Sequence, residues 1–345
     1  MNKVVSHRHW TRRQALWLLA GASSSIGLHA CTQDRPRSTT SITSLTFGST
    51  PWIGCAPLYI AQEKGFFQEE GLEIRLNDFS SSFEAIPAFA AGQLQGIAPM
   101  TTPDAVTLAS QGTDYRVIGV MDTSSGADAF LARNSISNIQ AFKGKRVAVQ
   151  EGGVGHFFLL QVLAEAGLSG SDVEIVNIAP DAAAAAYQSG NVDIAYTFSP
   201  FLEQADIAQT DGRIIYDTSK MPTAIADLYL VSPDLTQEQP QVAEGFLRGI
   251  FKGLDFLQTQ QAEALEIVGK VLRITPDEVE AQLKGVRLPN LQTNLEMLGN
   301  PQSELYLLSA VNAVAIFLKA QNQIKTVPDL AEAIDLQFLQ ALENS

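Results

Sequence analysis

Short hydroxyl side chains, glycines and aromatic rings recur at a spaced series of positions along this 345-residue chain. They are Trp52, Ser81-Ser82, Thr101-Thr102, Ser124-Ser125, Gly152-Gly153-Val154-Gly155-His156 and Phe198-Ser199. Hydroxyls and bare backbone N–H groups can hold a small polar solute without adding net charge. The same Ser and Thr residues also suit plain helix N-caps, and Trp52 suits a core site with its indole N–H satisfied. Carboxylates are interleaved with them: Asp78, Asp104, Asp122, Asp128, Glu151, Glu203 and Asp227. One or two pointing inward would call for a ligand with a cationic end, because a buried carboxylate without a partner is costly. Cys55 and His156 form the one nucleophile–base combination on offer in the body of the chain, and no third residue is evident to orient the His. His156 stands just inside a helix start, where the dipole lowers its pKa and lets it donate to a ligand or cap locally. The glycine run lacks the Lys-Ser/Thr ending of a nucleotide-binding loop.

These residues need a scaffold that brings them together, and the intervening sequence describes one. Short β-rich runs alternate with helical ones, which predicts an α/β fold with parallel strands. Strands are expected at Leu45–Ser49, Leu72–Asn77, Gly96–Met100, Val117–Met121, Ala129–Ala132, Arg146–Gln150, Glu174–Ile178, Ile194–Thr197, Ile214–Tyr216 and Leu228–Val231. Each candidate hydroxyl or aromatic residue then follows the carboxyl end of a strand. That is where open parallel sheets bind ligands and helix N-termini point their free N–H groups. Pro57 suits N1 of a first helix and Gly65 its stop. The five alanines of Asp181–Tyr187 read as strong helix propensity. After Ser232 strands are expected to cease: Val242, Phe246, Ile250, Leu254 and Leu257 recur at helical spacing, and further helices follow at about 262–273, 275–286, 303–320 and 329–343.

Charge and the N-terminus narrow the setting. Residues 1–30 carry four basic and no acidic residues; the rest has 19 basic against 37 acidic, a formal −18. Such a surface argues against nucleic acid and against binding anionic lipid through a basic patch. One His and one Cys in the body cannot build a zinc-type cluster, so neither metal nor cofactor is expected. Lys3, Arg8, Arg12 and Arg13 precede the apolar run Ala15–Ala20, with Leu28-His29-Ala30-Cys31 beyond it. That is the layout of an export signal over residues 1–30. Leu28, Ala30 and Cys31 resemble a bacterial lipobox, which would make Cys31 a lipidated N-terminus, and Thr11–Leu16 resembles a twin-arginine signal. Export by the general secretory or twin-arginine route, and a polar lipidated tether over 31–44, are the expectation.

Several segments, in order and spacing, resemble the substrate-binding lipoproteins of ABC importers in the nitrate/sulfonate/taurine class. They are Pro51-Trp52-Ile53-Gly54 with Pro57–Ala61, Lys64-Gly65-Phe66-Phe67, Gly71–Ile74, Ala90–Leu94, Asp122 with Gly126-Ala127-Asp128, Gly155–Leu160, Ala186–Asp193 and Pro200-Phe201-Leu202. The resemblance spans about Leu45 to Leu342. It implies a two-domain periplasmic-binding-protein fold (type II) that closes on ligand, with domain 1 over 45–133 plus 226–345 and domain 2 over 134–225. It implies an extracytoplasmic receptor, monomeric and not an enzyme, delivering a sulfonate-, taurine- or nitrate-like nutrient to a permease and its ATPase. The ligand-binding set it implies is Trp52, Ser81, Ser82, Thr101, Thr102, Ser124, Ser125, Val154, Gly155, His156, Phe198 and Ser199; Asp227 joins it as an inward-pointing carboxylate. Ser199 stands where many relatives carry an acidic residue, and the cysteine-rich motif of the related thiamine-pyrimidine synthases is absent. A guanidinium-like or thiamine-pyrimidine-like ligand is the alternative within receptors, and an enzyme using Cys55 and His156 the alternative outside them.

Overall fold

The computed structural model describes residues 42–221 and 224–344; the expected signal segment and Cys31 lie outside them. Among the described residues the chain lays down β1 (Thr43–Ser49), β2 (Leu72–Asp78), β3 (Gly96–Thr101) and β4 (Arg116–Ser124). It continues with β5 (Asp128–Arg133), β6 (Arg146–Val149), β7 (Glu174–Asn177), β8 (Ile194–Phe198) and β9 (Gly212–Asp217), then β10 (Ala226–Val231) and β11 (Val286–Arg287). They form two sheets, one ordered β11-β4-β10-β3-β1-β2 and the other β7-β6-β8-β5-β9. The architecture is a two-lobed α/β fold.

Two expectations need correction. The sheets are mixed: β10 runs antiparallel to both β3 and β4, and β5 antiparallel to both β8 and β9. Each is the strand laid down just after the chain changes lobe, so neither is fed by a helical crossover within its own sheet, the connection that makes neighbours parallel. β5 lies in the second sheet, between β8 and β9. Strands also do not end at Ser232. Val286–Arg287 pairs with Thr123–Ser124, and the expected helix over 275–286 stops at Leu283.

Aromatic stacking organises the core of each lobe. Phe246 lies parallel to Phe47 at 4.8 Å and to Phe67 at 5.5 Å, while Phe130 stacks on Phe158 at 5.4 Å. The alanine run has a packing reason as well as a propensity one. The helix Pro180–Gln188 buries Ala183, Ala184 and Tyr187 in a small cluster with Ala129, Leu131, Ala148 and Ala195 of the second sheet, where small side chains let helix and sheet approach.

The helix Pro240–Thr259 does the same with glycine. Gly245, Gly249 and Gly253 recur every fourth residue and so share one face; that face meets Glu70, the Phe67 ring and the Pro57 carbonyl in turn. A Cβ at Gly253 would overlap the Pro57 carbonyl oxygen, a backbone atom that cannot swing aside. Gly253→Ala is therefore expected to destabilise by about 1–3 kcal/mol as an overpacking substitution. A urea-melt midpoint equal to the parent's would contradict this account of the helix contact.

Candidate functional site

Seven of the expected residues meet at the cleft between the sheets. Trp52, Ser81, Ser82, Thr101, Val154, Phe198 and Asp227 line one cavity, together with Thr50, Pro99, Asp128 and Ile225. It encloses about 350 Å³ of non-atom space. Trp52 and Thr50 follow the end of β1, Thr101 ends β3 and Asp227 lies near the start of β10. Ser81 caps the helix Ser82–Ala90, and Val154 opens the helix Val154–Glu165. The first lobe supplies most of the wall, and the second brings Phe198 edge-on to Trp52, with centroids 5.7 Å apart.

The lobes touch around this cavity. Ser81 Oγ donates to Gln150 Oε1 at 2.6 Å, and Gln150 Nε2 donates to Glu84 Oε1 at 3.0 Å. At the two connections between sheets, Thr218 Oγ1 lies 2.7 Å from Ser124 Oγ and accepts from the Gly126 N–H at 2.8 Å. One side chain thus ties the outgoing connection to the returning one.

Four buried aspartates dominate the electrostatics. Trp52 Nε1 donates to Asp122 Oδ2 at 2.8 Å, Ser82 Oγ to Asp104 Oδ2 at 2.5 Å and Tyr196 Oη to Asp128 Oδ1 at 2.5 Å. Asp227 faces Asp122 across β10 and β4 and Thr101 across β10 and β3. Burial pushes Asp122 up to about 7, and Asp104 and Asp128 up to about 6. Asp227 is raised well above the usual carboxylate range by burial, reinforced by the charges of Asp122, Asp128 and Asp104. Oδ1 of Asp104, Asp122 and Asp227, and Thr50 Oγ1, accept no hydrogen bond from the protein. Among the described residues that line the cavity there is no Lys, Arg or His.

The other expected positions lie outside the lining of this cavity. Ser124 bonds Thr218, and Ser199 Oγ donates to Glu203 Oε1 at 2.6 Å. The backbone N–H of Ser125 donates to the Gly285 carbonyl. Thr102 is buried at the start of its helix. Gly155 is needed because a Cβ there would enter the Tyr196 ring. His156 Nδ1 accepts from the Gly152 N–H at 3.1 Å, and burial lowers its pKa. Cys55 is fully buried, its Sγ facing the Thr50 carbonyl and Met121 Sδ, and burial raises its pKa well above the usual thiol value. A reactive cysteine needs the opposite, a depressed pKa and access, so the Cys55–His156 dyad is not assembled here. Asp78 and Glu151 are exposed. Sequence reasoning left Thr50, Pro99, Asp128 and Ile225 out of the binding set. For Thr50, the signal was its place between the end of β1 and Trp52; for Asp128, its place among the carboxylates flanking the strand ends.

Comparison with known proteins gives a consistent picture. The family model described as "NMT1/THI5 like" matches residues 52–264. The taurine-binding periplasmic protein of Escherichia coli (strain K12) is 25% identical over 300 residues, covering 82% of this chain and 89% of that protein. The alkanesulfonate-binding protein SsuA from Xanthomonas axonopodis pv. citri, solved bound to MOPS, superposes with a TM-score of 0.70 at 19% identity, over 85% of this chain and 98% of that one. The desulfurization enzyme DSZB shares the fold at a TM-score of 0.64 and 17% identity, over 88% of this chain and 99% of that one. The fold therefore carries both binding and catalysis, and the site must decide between them.

Proposed function

The chain belongs to the NMT1/THI5-like family, and from that membership and the cleft we infer that it is the extracytoplasmic solute-binding receptor of an ABC importer. Its cargo is a small sulfonate- or taurine-like nutrient, delivered to a permease powered by an ATPase. It works as a binding protein, not an enzyme: its one candidate nucleophile, Cys55, is sealed in the core. The observation that carries the reading is the small cavity closed between two sheets, lined by hydroxyls from both strand and helix ends.

Function follows from closure. A permease must distinguish loaded from empty receptor, so ligand must favour the closed form. The contacts of Gln150 with Ser81 and Glu84 belong to that form, with Ser124–Asp128 on the way out and Asp217–Met221 on the way back as the hinge. Lobes over 45–133 plus 226–345 and 134–225, with the first boundary moved back before Asp128, are the proposed rigid bodies. Lipidation at Cys31 would hold the receptor at high effective concentration near its permease, since two acyl chains anchor stably where one is marginal.

Thermal-shift screening tests this. A ligand at a hundred times its Kd stabilises the folded state by about 2.7 kcal/mol. At least one of taurine, short alkanesulfonates, nitrate and guanidinium is expected to raise the Tm. A flat response to all four would overturn the receptor reading.

A further inference from the structure

Resting on that reading, we propose that the cleft recognises its ligand through a positively charged nitrogen group, a protonated amine or guanidinium, held by Asp227 and Asp128 beside Trp52. The cavity wall contains both carboxylates and, among the described residues, no basic side chain. Asp227 is 3% exposed, and its Oδ1 accepts nothing from the protein. Thr50 Oγ1, 4% exposed and on the same wall, is equally unpartnered. Buried acceptors are left without donors in native proteins when something else supplies them. An N–H-rich cation supplies donors and countercharge together.

The surroundings argue against an anion as the dominant recognition element. Asp122 and Asp104 stand behind the wall, each buried and held by a wall residue, Trp52 and Ser82 respectively. A sulfonate entering alone would meet hydroxyls and helix N-termini but also this concentration of negative charge. With its N–H engaged by Asp122, Trp52 contributes an aromatic surface to the cavity wall, and aromatic rings attract cations. The shared chemistry of a taurine-like zwitterion and of a bare guanidinium is the cationic nitrogen, and the site is built around that end.

Calorimetric titration of the purified protein with taurine, guanidinium chloride and ethanesulfonate decides the matter, ethanesulfonate being taurine without its amine. Taurine or guanidinium is expected to bind at least about 30-fold more tightly than ethanesulfonate, the size of loss that follows removal of one partner of a buried charge pair. Asp227→Asn, and separately Asp128→Asn, should weaken the amine-bearing probe by a similar factor while leaving the ligand-free Tm no lower than the parent's. Binding of guanidinium identifies a bare cation, and binding of taurine alone a zwitterion; both support the proposal. Ethanesulfonate binding within threefold of taurine, with both variants indifferent, would overturn it and leave the receptor reading standing. Silence from all three probes together with a flat thermal screen would remove the receptor reading and this inference at once.

Discussion

The ligand-free protein is expected to be more stable at pH 5.5 than at pH 8, by on the order of 2 kcal/mol. Asp104, Asp122 and Asp128 titrate near 6 to 7 in the fold, and Asp227 is also raised, against about 3.9 in an unfolded chain. Carboxyls shifted upward contribute stability that is complete below the unfolded value and is lost as pH rises through the folded one. Above pH 7 the fold therefore carries several buried negative charges at once. His156 opposes the trend, because its depressed value means the unfolded chain takes up a proton that the fold resists below about pH 6.5. One histidine against four aspartates leaves the net sign unchanged. The Tm should rise by roughly 4–8 °C on acidification, at 2–4 °C per kcal/mol for a chain of this size. Affinity for an amine-bearing ligand should move the other way, weakening as the carboxyls take up protons. A Tm that falls between pH 8 and pH 5.5 would mean that these carboxyls are not protonated in the fold.

Gly54→Ala is expected to cost at least about 3 kcal/mol and to abolish ligand binding. Gly54 sits in the turn Ile53–Cys55 beneath the hydrogen bond between Trp52 and Asp122. A Cβ there would overlap both Asp122 Oδ2 and Trp52 Nε1. Overpacking alone costs about 1–3 kcal/mol. Separating the pair would also take the indole donor from a buried carboxyl whose Oδ1 already has no partner, and losing one partner of a buried hydrogen bond costs about 1–3 kcal/mol more. Trp52 would leave its place on the cavity wall as well. Gly144→Ala makes a suitable control: its φ of 72° is costly for alanine, but nothing stands within 4 Å of the added carbon. The control should lose about 1–2 kcal/mol from backbone strain and bind normally. Equal losses of stability and affinity in the two variants would show that the Trp52–Asp122 contact does not organise the site.

Much of the scaffold was legible before any coordinates. The ten anticipated strands all occur, within about three residues at each end, because β-branched runs bounded by Gly, Pro and Asp need little context. β11 was not legible: two residues carry no periodicity, and Val286–Arg287 is extended because β4 offers it an edge. Strand direction was hidden too, since alternation along a strand looks the same in either direction. The rule that ligands bind at strand ends reached Trp52, Ser81, Ser82, Thr101 and Phe198. It did not separate them from Ser199 and His156, whose hydrogen bonds close on local partners, or from Ser124, which bonds Thr218 across the two connections.

The order of elements, the hydroxyls at their ends and the acidic balance were determined by the sequence alone, because local propensity and charge belong to residues. The burial of Asp104, Asp122, Asp128 and Asp227 around one small cavity, with no basic side chain among the described residues of its wall, was decided only by the tertiary structure. An aspartate becomes costly, and so informative, only when distant strands remove its water and leave it beside others of the same sign.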